Sequence, residues 1–202
     1  MLKRRDFIIM TGALALALSL ARPAFAQSAD KAAGFVKTTG DELVSIVNGP
    51  GSLQDKRRRL QQVVDRAVDV DAVARFCLGR YLRTATPEQR KQYLALFHDV
   101  LLNNITGKLG EYQGVKFQVL RSQDREDTQV VSTVIERPNN PPTNVDWIIS
   151  EEKGSPRIVD VVAEGTSLRL TQRQDYAAYL ARNNNSVQAL IDAMRQQIAQ
   201  SG

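Results

Sequence analysis

One cysteine and one histidine serve the whole 202-residue chain, and these scarcities exclude a good deal of chemistry. With Cys77 alone there can be no internal disulfide and no cysteine-rich metal site, so stability has to come from a packed core. A free thiol flanked by Phe76 and Leu78 is expected to be buried. His98 is the only imidazole, so a histidine metal cluster is ruled out and any Ser–His or Cys–His pair would have to use this residue. Gly165-Thr166-Ser167-Leu168-Arg169 lacks the second glycine of a nucleophile elbow, and no phosphate-cradling glycine loop precedes a helix. Asp160 and Glu164 could form a carboxylate pair, but Arg157 and Arg169 stand ready to pair with them locally. An enzyme is not expected, nor a metal or cofactor; a hydrolase using His98 and a nearby carboxylate is the reading kept from that class.

A long apolar run is also missing. The longest, Ile8 to Ala21, falls short of the roughly 20 residues a membrane-spanning helix needs. It lies between Lys3-Arg4-Arg5 and the small-x-small site Ala24-Phe25-Ala26, the pattern of a cleavable export signal over residues 1–26, with a retained N-terminal anchor as the alternative. Arg4-Arg5-Asp6-Phe7-Ile8 resembles a twin-arginine signal, although Lys3 stands where Ser or Thr is usual, so either export route is open. Removing this leader lowers the formal charge from +5 to about +2, which leaves no concentrated basic stripe for nucleic acid. Arg57-Arg58-Arg59 reads as a solvated helix face. Residues 27–202 are expected to form one domain.

What is present is strong patterning. Ala32, Phe35, Val36, Thr39, Leu43, Ile46 and Val47 recur at helical spacing from about Asp30 to Asn48, and Gly49-Pro50-Gly51 stops that helix. Ser52 caps a second helix that buries Leu60, Val63, Val64 and Ala67; Asp69 opens a short third one, Val70 to Leu78, closed by Gly79 in the left-handed region. Thr86-Pro87-Glu88-Gln89 has the residues of a capping box with Pro at the first helical position. The helix behind it carries Tyr93, Phe97, Val100, Leu101, Ile105 and Leu109 on a stripe wider than one neighbour requires.

After Gly114 the period changes from helix to strand. Segments around 115–119, 129–135, 145–150 and 157–163 alternate as strands, with Arg121 to Asp127 as a polar turn, Pro138 to Pro142 as a loop and Glu151 to Pro156 as a tight turn. In the fourth segment strict alternation puts Val159 and Val161 on one face and Ile158 and Val162 on the other. Two helices follow, about Gln172 to Arg182 and, with Ser186 as cap, Val187 to Gln200. The expected fold is α+β: N-terminal helices, a central antiparallel meander of about four strands and C-terminal helices.

Three blocks carry a family likeness: Val73-Ala74-Arg75-Phe76-Cys77-Leu78-Gly79-Arg80-Tyr81-Leu82-Arg83; Thr86-Pro87-Glu88-Gln89-Arg90 with Tyr93 and Phe97; and Asp160-Val161-Val162-Ala163-Glu164-Gly165-Thr166-Ser167-Leu168 with Arg173 and Tyr176. They resemble the MlaC family, the periplasmic phospholipid-binding components of a lipid-asymmetry ABC transport system, also called toluene-tolerance proteins. The likeness covers nearly all of residues 27–202. The chain departs from the family at Leu82, or at Tyr81 if the gap is shifted, where Trp is usual, and at Ile105, where an aromatic is common.

The resemblance implies a periplasmic carrier with phospholipid as its ligand and an apolar cavity between sheet and helices. Its partners would be an inner-membrane ABC complex with an MCE-type protein and an outer-membrane lipoprotein complex. A related branch associated with hopanoids makes that amphiphile the alternative cargo. Burying about thirty methylenes at about 0.8 kcal/mol each gains on the order of 25 kcal/mol, but a bilayer offers the same, so such a cavity must be equally dry. The candidate walls are Phe76, Leu78, Tyr81, Phe97, Val100, Leu101 and Ile105 from the helices and Val119, Val134, Trp147, Ile149 and Val161 from the sheet. Ordinary core packing competes for each of them.

Overall fold

The computed structural model describes residues 24–200, with side chains from residue 29 onward. The leader expected over residues 1–26 therefore falls almost wholly outside the described residues. The chain runs α1 (Ala24–Asn48), α2 (Leu53–Ala67), α3 (Val70–Leu78), a 3-10 turn (Gly79–Leu82), α4 (Pro87–Thr106), a second 3-10 turn (Leu109–Tyr112), β1 (Lys116–Arg125), β2 (Thr128–Glu136), β3 (Thr143–Ser150), β4 (Arg157–Ala163), β5 (Thr166–Ser167), α5 (Leu168–Arg182) and α6 (Val187–Gln200). Local chemistry sets most of these boundaries. Ser52 accepts from the Asp55 amide, Asp69 from the Ala72 amide, and Thr86 with Gln89 forms the complete capping box. Gly79 closes α3 with φ +57°.

Besides α1, which begins at Ala24 and not near Asp30, three boundaries differ from expectation. Ser167, not a residue near Gln172, caps α5: its hydroxyl accepts from the Leu170 amide, so the helix begins directly after β5. The stripe on α4 ends at Thr106, and Leu109 belongs to the following 3-10 turn. The polar run Arg121–Arg125 is strand and not turn, which leaves only Glu126-Asp127 to reverse the chain, with Glu126 at φ +51°. β1 is an edge strand held by its ladder to β2, so its outer positions can be polar without losing the backbone pairing.

The strands form one antiparallel meander in the order β1-β2-β3-β4-β5. The two-residue β5 is an addition to the expected four strands. The register shifts at two places, at Leu120 in β1 and at Val159 in β4. Each extra residue reverses the parity of the positions after it. Ile158 therefore pairs with Ile149, and Val161 with Trp147, so Ile158 and Val161 share a face, contrary to strict alternation.

α1 lies across β1 and β2 so closely that Gly40 has no room for a side chain; a Cβ there would stand 2.3 Å from the Phe117 ring. α1, α2 and this sheet face enclose one core around Val36, Ile46, Leu60, Val63, Val131, Ile149 and Ile158. A second core lies among α3, α4, α5 and α6, where Tyr93, Phe97 and Tyr176 meet ring to ring at 5.9 to 6.4 Å. The helical layer joins the sheet at the outer edge of β4, where the Asp69 amide donates to the Ile158 carbonyl at 2.9 Å and Val68 bridges to Ile158.

Candidate functional site

The helix-facing side of the sheet is apolar over its whole width. Row by row, Val119 stands opposite Thr133 and Val145, and Val131 opposite Trp147 and Val161, with Phe117 and Ile135 paired beyond them. Val131, Ile149 and Ile158 are fully packed, whereas Phe117, Val119, Ile135, Trp147 and Val161 are only half-buried. Phe35, Leu43 and Val44 of α1, Ile105 of α4 and Tyr112 belong to the same cluster and are likewise incompletely covered. Two polar side chains on this face are satisfied internally: the Trp147 indole N–H donates to Thr133 Oγ1 at 2.9 Å, and that hydroxyl donates to the Val145 carbonyl at 2.9 Å. The surface therefore offers contact area and few hydrogen bonds. At the end nearest the β1–β2 turn the face becomes polar, where Ser122 Oγ and Gln129 Oε1 are buried without a partner.

The expected wall residues divide between the two cores. Val119, Trp147, Ile149, Val161 and, from α4, Ile105 lie together in the sheet cluster. Val134 does not: it pairs with Gln118 and Asn144, which places it on the opposite face of the sheet. Leu78, Tyr81, Phe97 and Val100 are buried in the helical layer, with Phe76 half-buried against them. Leu101 is half-buried outside both clusters. These helical residues miss the sheet because α3 to α6 stack beside β4, while α1 and α2 cover the sheet face. The walls not foreseen from the sequence are Phe117 and Ile135 of the sheet, Tyr112 and, from α1, Phe35, Leu43 and Val44. The stripe on α1 is legible in the chain; which helix covers the sheet is not.

Two cavities, of about 430 and 320 Å³, open on the helical layer. The larger lies between α5 and α6, with Asp175, Arg182 and Gln197 among its lining, and the smaller between the first 3-10 turn and α5.

The reactive side chains are held in structural pairings. His98 Nε2 lies 2.6 Å from Asp65 Oδ1 and ties α4 to α2. Cys77 is buried with Sγ 3.5 Å from the Arg169 carbonyl, and burial pushes its thiol up to about 12. Burial likewise raises the Tyr93 and Tyr176 phenols. Asp160 and Glu164 do not act as a pair: Asp160 binds Ser167 and Arg169, while Glu164 accepts from the Asn144 amide. Among the described residues no group of three His, Cys, Asp or Glu could hold a metal, and no helix is long and apolar enough to cross a membrane.

The chain is an α+β protein with an apolar sheet face covered by helices. The family model described as MlaC protein matches residues 37–196, and the chain belongs to that family. Toluene tolerance protein ttg2D of Pseudomonas putida is 23% identical over 145 residues, which span 70% of this chain and 67% of that protein. The fold is shared with the phospholipid-binding protein from Ralstonia solanacearum, solved in complex with a phospholipid. That likeness has a TM-score of 0.74 at 21% identity and covers 85% of this chain and 98% of the other.

Proposed function

We propose that this protein is a periplasmic lipid carrier. After removal of a leader at residues 1–26, residues 27–202 act as one domain. It holds the acyl chains of a phospholipid against the apolar sheet face and shuttles the lipid between outer-membrane and inner-membrane complexes. The observation that carries this reading is the half-buried row Phe117, Val119, Ile135, Trp147 and Val161 facing Phe35, Leu43 and Val44. Such a row leaves apolar area to be covered, at roughly 25 cal/mol per Å². Membership in the MlaC family and the phospholipid carried by the Ralstonia protein support the choice of cargo. α1 is the cover that has to yield, since it packs over β1 and β2 with part of its apolar stripe incompletely buried.

Purification without detergent, followed by solvent extraction and mass spectrometry, should recover phospholipid at close to one molecule per chain. A recovered triterpenoid would shift the cargo to a hopanoid. If no lipid is recovered and none is accepted from vesicles, the carrier reading fails.

A further inference from the structure

The smaller cavity, of about 320 Å³, has a chemistry the apolar sheet face lacks. Its lining combines Leu78, Tyr81 and Ala177 with the side chains of Arg80 and Arg173. Both arginines are held in place. The Arg173 guanidinium lies 4.9 Å from the Phe76 ring centroid and would be 3.2 Å from a Cβ at Gly79. Arg80 lies 4.9 Å from the Tyr81 ring centroid and donates to its hydroxyl at 3.0 Å; that hydroxyl in turn donates to Asn185 Oδ1 at 2.8 Å.

Charge is unbalanced here. Arg169 sits over the same Phe76 ring at 4.4 Å, so two guanidinium groups share one ring. Asp160 answers only Arg169, at 3.4 Å; among the described residues neither Arg80 nor Arg173 has a carboxylate within ion-pair distance. Exposed Arg80 and half-buried Arg169 and Arg173 are like charges gathered at one place, which favours an external anion, and planar guanidinium groups bind oxyanions by paired hydrogen bonds. The space lies at the lower end of the range for small-ligand sites and has an apolar floor, which fits a phosphodiester with its organic substituents better than a lone carboxylate.

We propose that the cavity between the Gly79–Leu82 turn and α5 binds a phosphate oxyanion between Arg80 and Arg173. The phosphate could come from a lipid head group or be free in solution. The proposal is independent of the acyl-chain reading, because these residues line the helical layer and not the sheet face.

The test is a titration of the full chain with glycerophosphoglycerol, inorganic phosphate and acetate, followed by amide chemical shifts and calorimetry. Shifts should centre on Gly79, Tyr81 and Ala177, with acetate at least tenfold weaker than either phosphate. Tighter binding of the phosphodiester assigns the site to head groups; equal or tighter binding of inorganic phosphate assigns it to free phosphate. Arg80→Gln and Arg173→Gln should each weaken phosphate binding roughly tenfold or more at unchanged melting temperature. Arg173→Lys should fall between, since it keeps the charge and loses the fork. Should Arg173→Gln fail to fold, the exposed Arg80→Gln carries the test. Undiminished binding in folded variants, shifts centred elsewhere, no phosphate binding by the wild type or equal binding of acetate would each overturn the proposal. A protein that binds glycerophosphoglycerol but takes up no lipid from vesicles would sink the carrier reading and leave this one standing.

Discussion

Asp160 shows why the block from Asp160 to Leu168 is written as it is. Buried on β4, its carboxylate accepts from the amides of Val161 at 2.8 Å and Arg169 at 3.1 Å and from the Ser167 hydroxyl at 2.6 Å. One side chain thereby joins strand, turn and the start of α5. Asp160→Ala leaves those donors without partners and should lower stability by about 3 kcal/mol, measured by urea denaturation. Two glycines of α1 make an opposite pair. A Cβ at Gly34 would meet nothing within 4 Å, so Gly34→Ala should stabilise by about 0.5–1 kcal/mol through helix propensity. At Gly40 the same propensity gain meets the Phe117 ring, and Gly40→Ala should instead destabilise by on the order of 1 kcal/mol. Equal melting temperatures for the two variants would contradict this packing.

At the scale of elements, the faces of the sheet carry different duties. Ile135 belongs to the half-buried apolar row, and Val134 points to the other side. Ile135→Arg should cut uptake of phospholipid from vesicles by about tenfold or more, because a charge on an acyl-chain wall has to be desolvated. Val134→Arg should leave uptake within about twofold, since it puts no charge on that wall. The junction of α2, α3 and β4 depends on Asp69, which caps α3 and pairs with Lys153 at 2.8 Å. Partial burial pulls its carboxyl upward, but Lys153 and the Ala72 amide outweigh that and hold it below the usual carboxylate range. A depressed folded value means the contribution is present above about pH 4 and is lost as pH falls through the folded value. Asp69→Ala should therefore lower stability by about 1 kcal/mol at pH 7, with the difference from wild type shrinking below pH 4 in denaturant titrations.

Across the whole molecule, a sheet with its own helical cover is joined at one edge to a helical layer with a separate core. Part of the apolar stripe of α1 stays half-buried over the sheet, whereas α3 to α6 share the second core. His98 makes contacts with two carboxylates, Asp65 at 2.6 Å between α4 and α2 and Asp99 at 3.7 Å on its own helix. His98→Ala should leave the rate of lipid transfer between donor and acceptor vesicles unchanged within about twofold. Loss of transfer in a folded His98→Ala protein would return the hydrolase reading to consideration.

By itself the sequence determined the class and order of the elements, because caps, glycine stops and hydrophobic period are local signals: Thr86 to Gln89, Gly79 and the alternation after Gly114 are each read within a few residues. Its blocks also carried the family. The tertiary structure alone decided which apolar residues share a wall. The extra residues at Leu120 and Val159 reset strand parity, which period-two counting cannot foresee, and the polar half of β1 is held by pairing with β2 and not by burial of its own. Phe97 and Ile105 lie on one helix with one pattern, yet they enter different cores, because α4 passes from the helical layer to the sheet cluster along its length. That division depends on contacts between residues far apart in the chain, which no local pattern encodes.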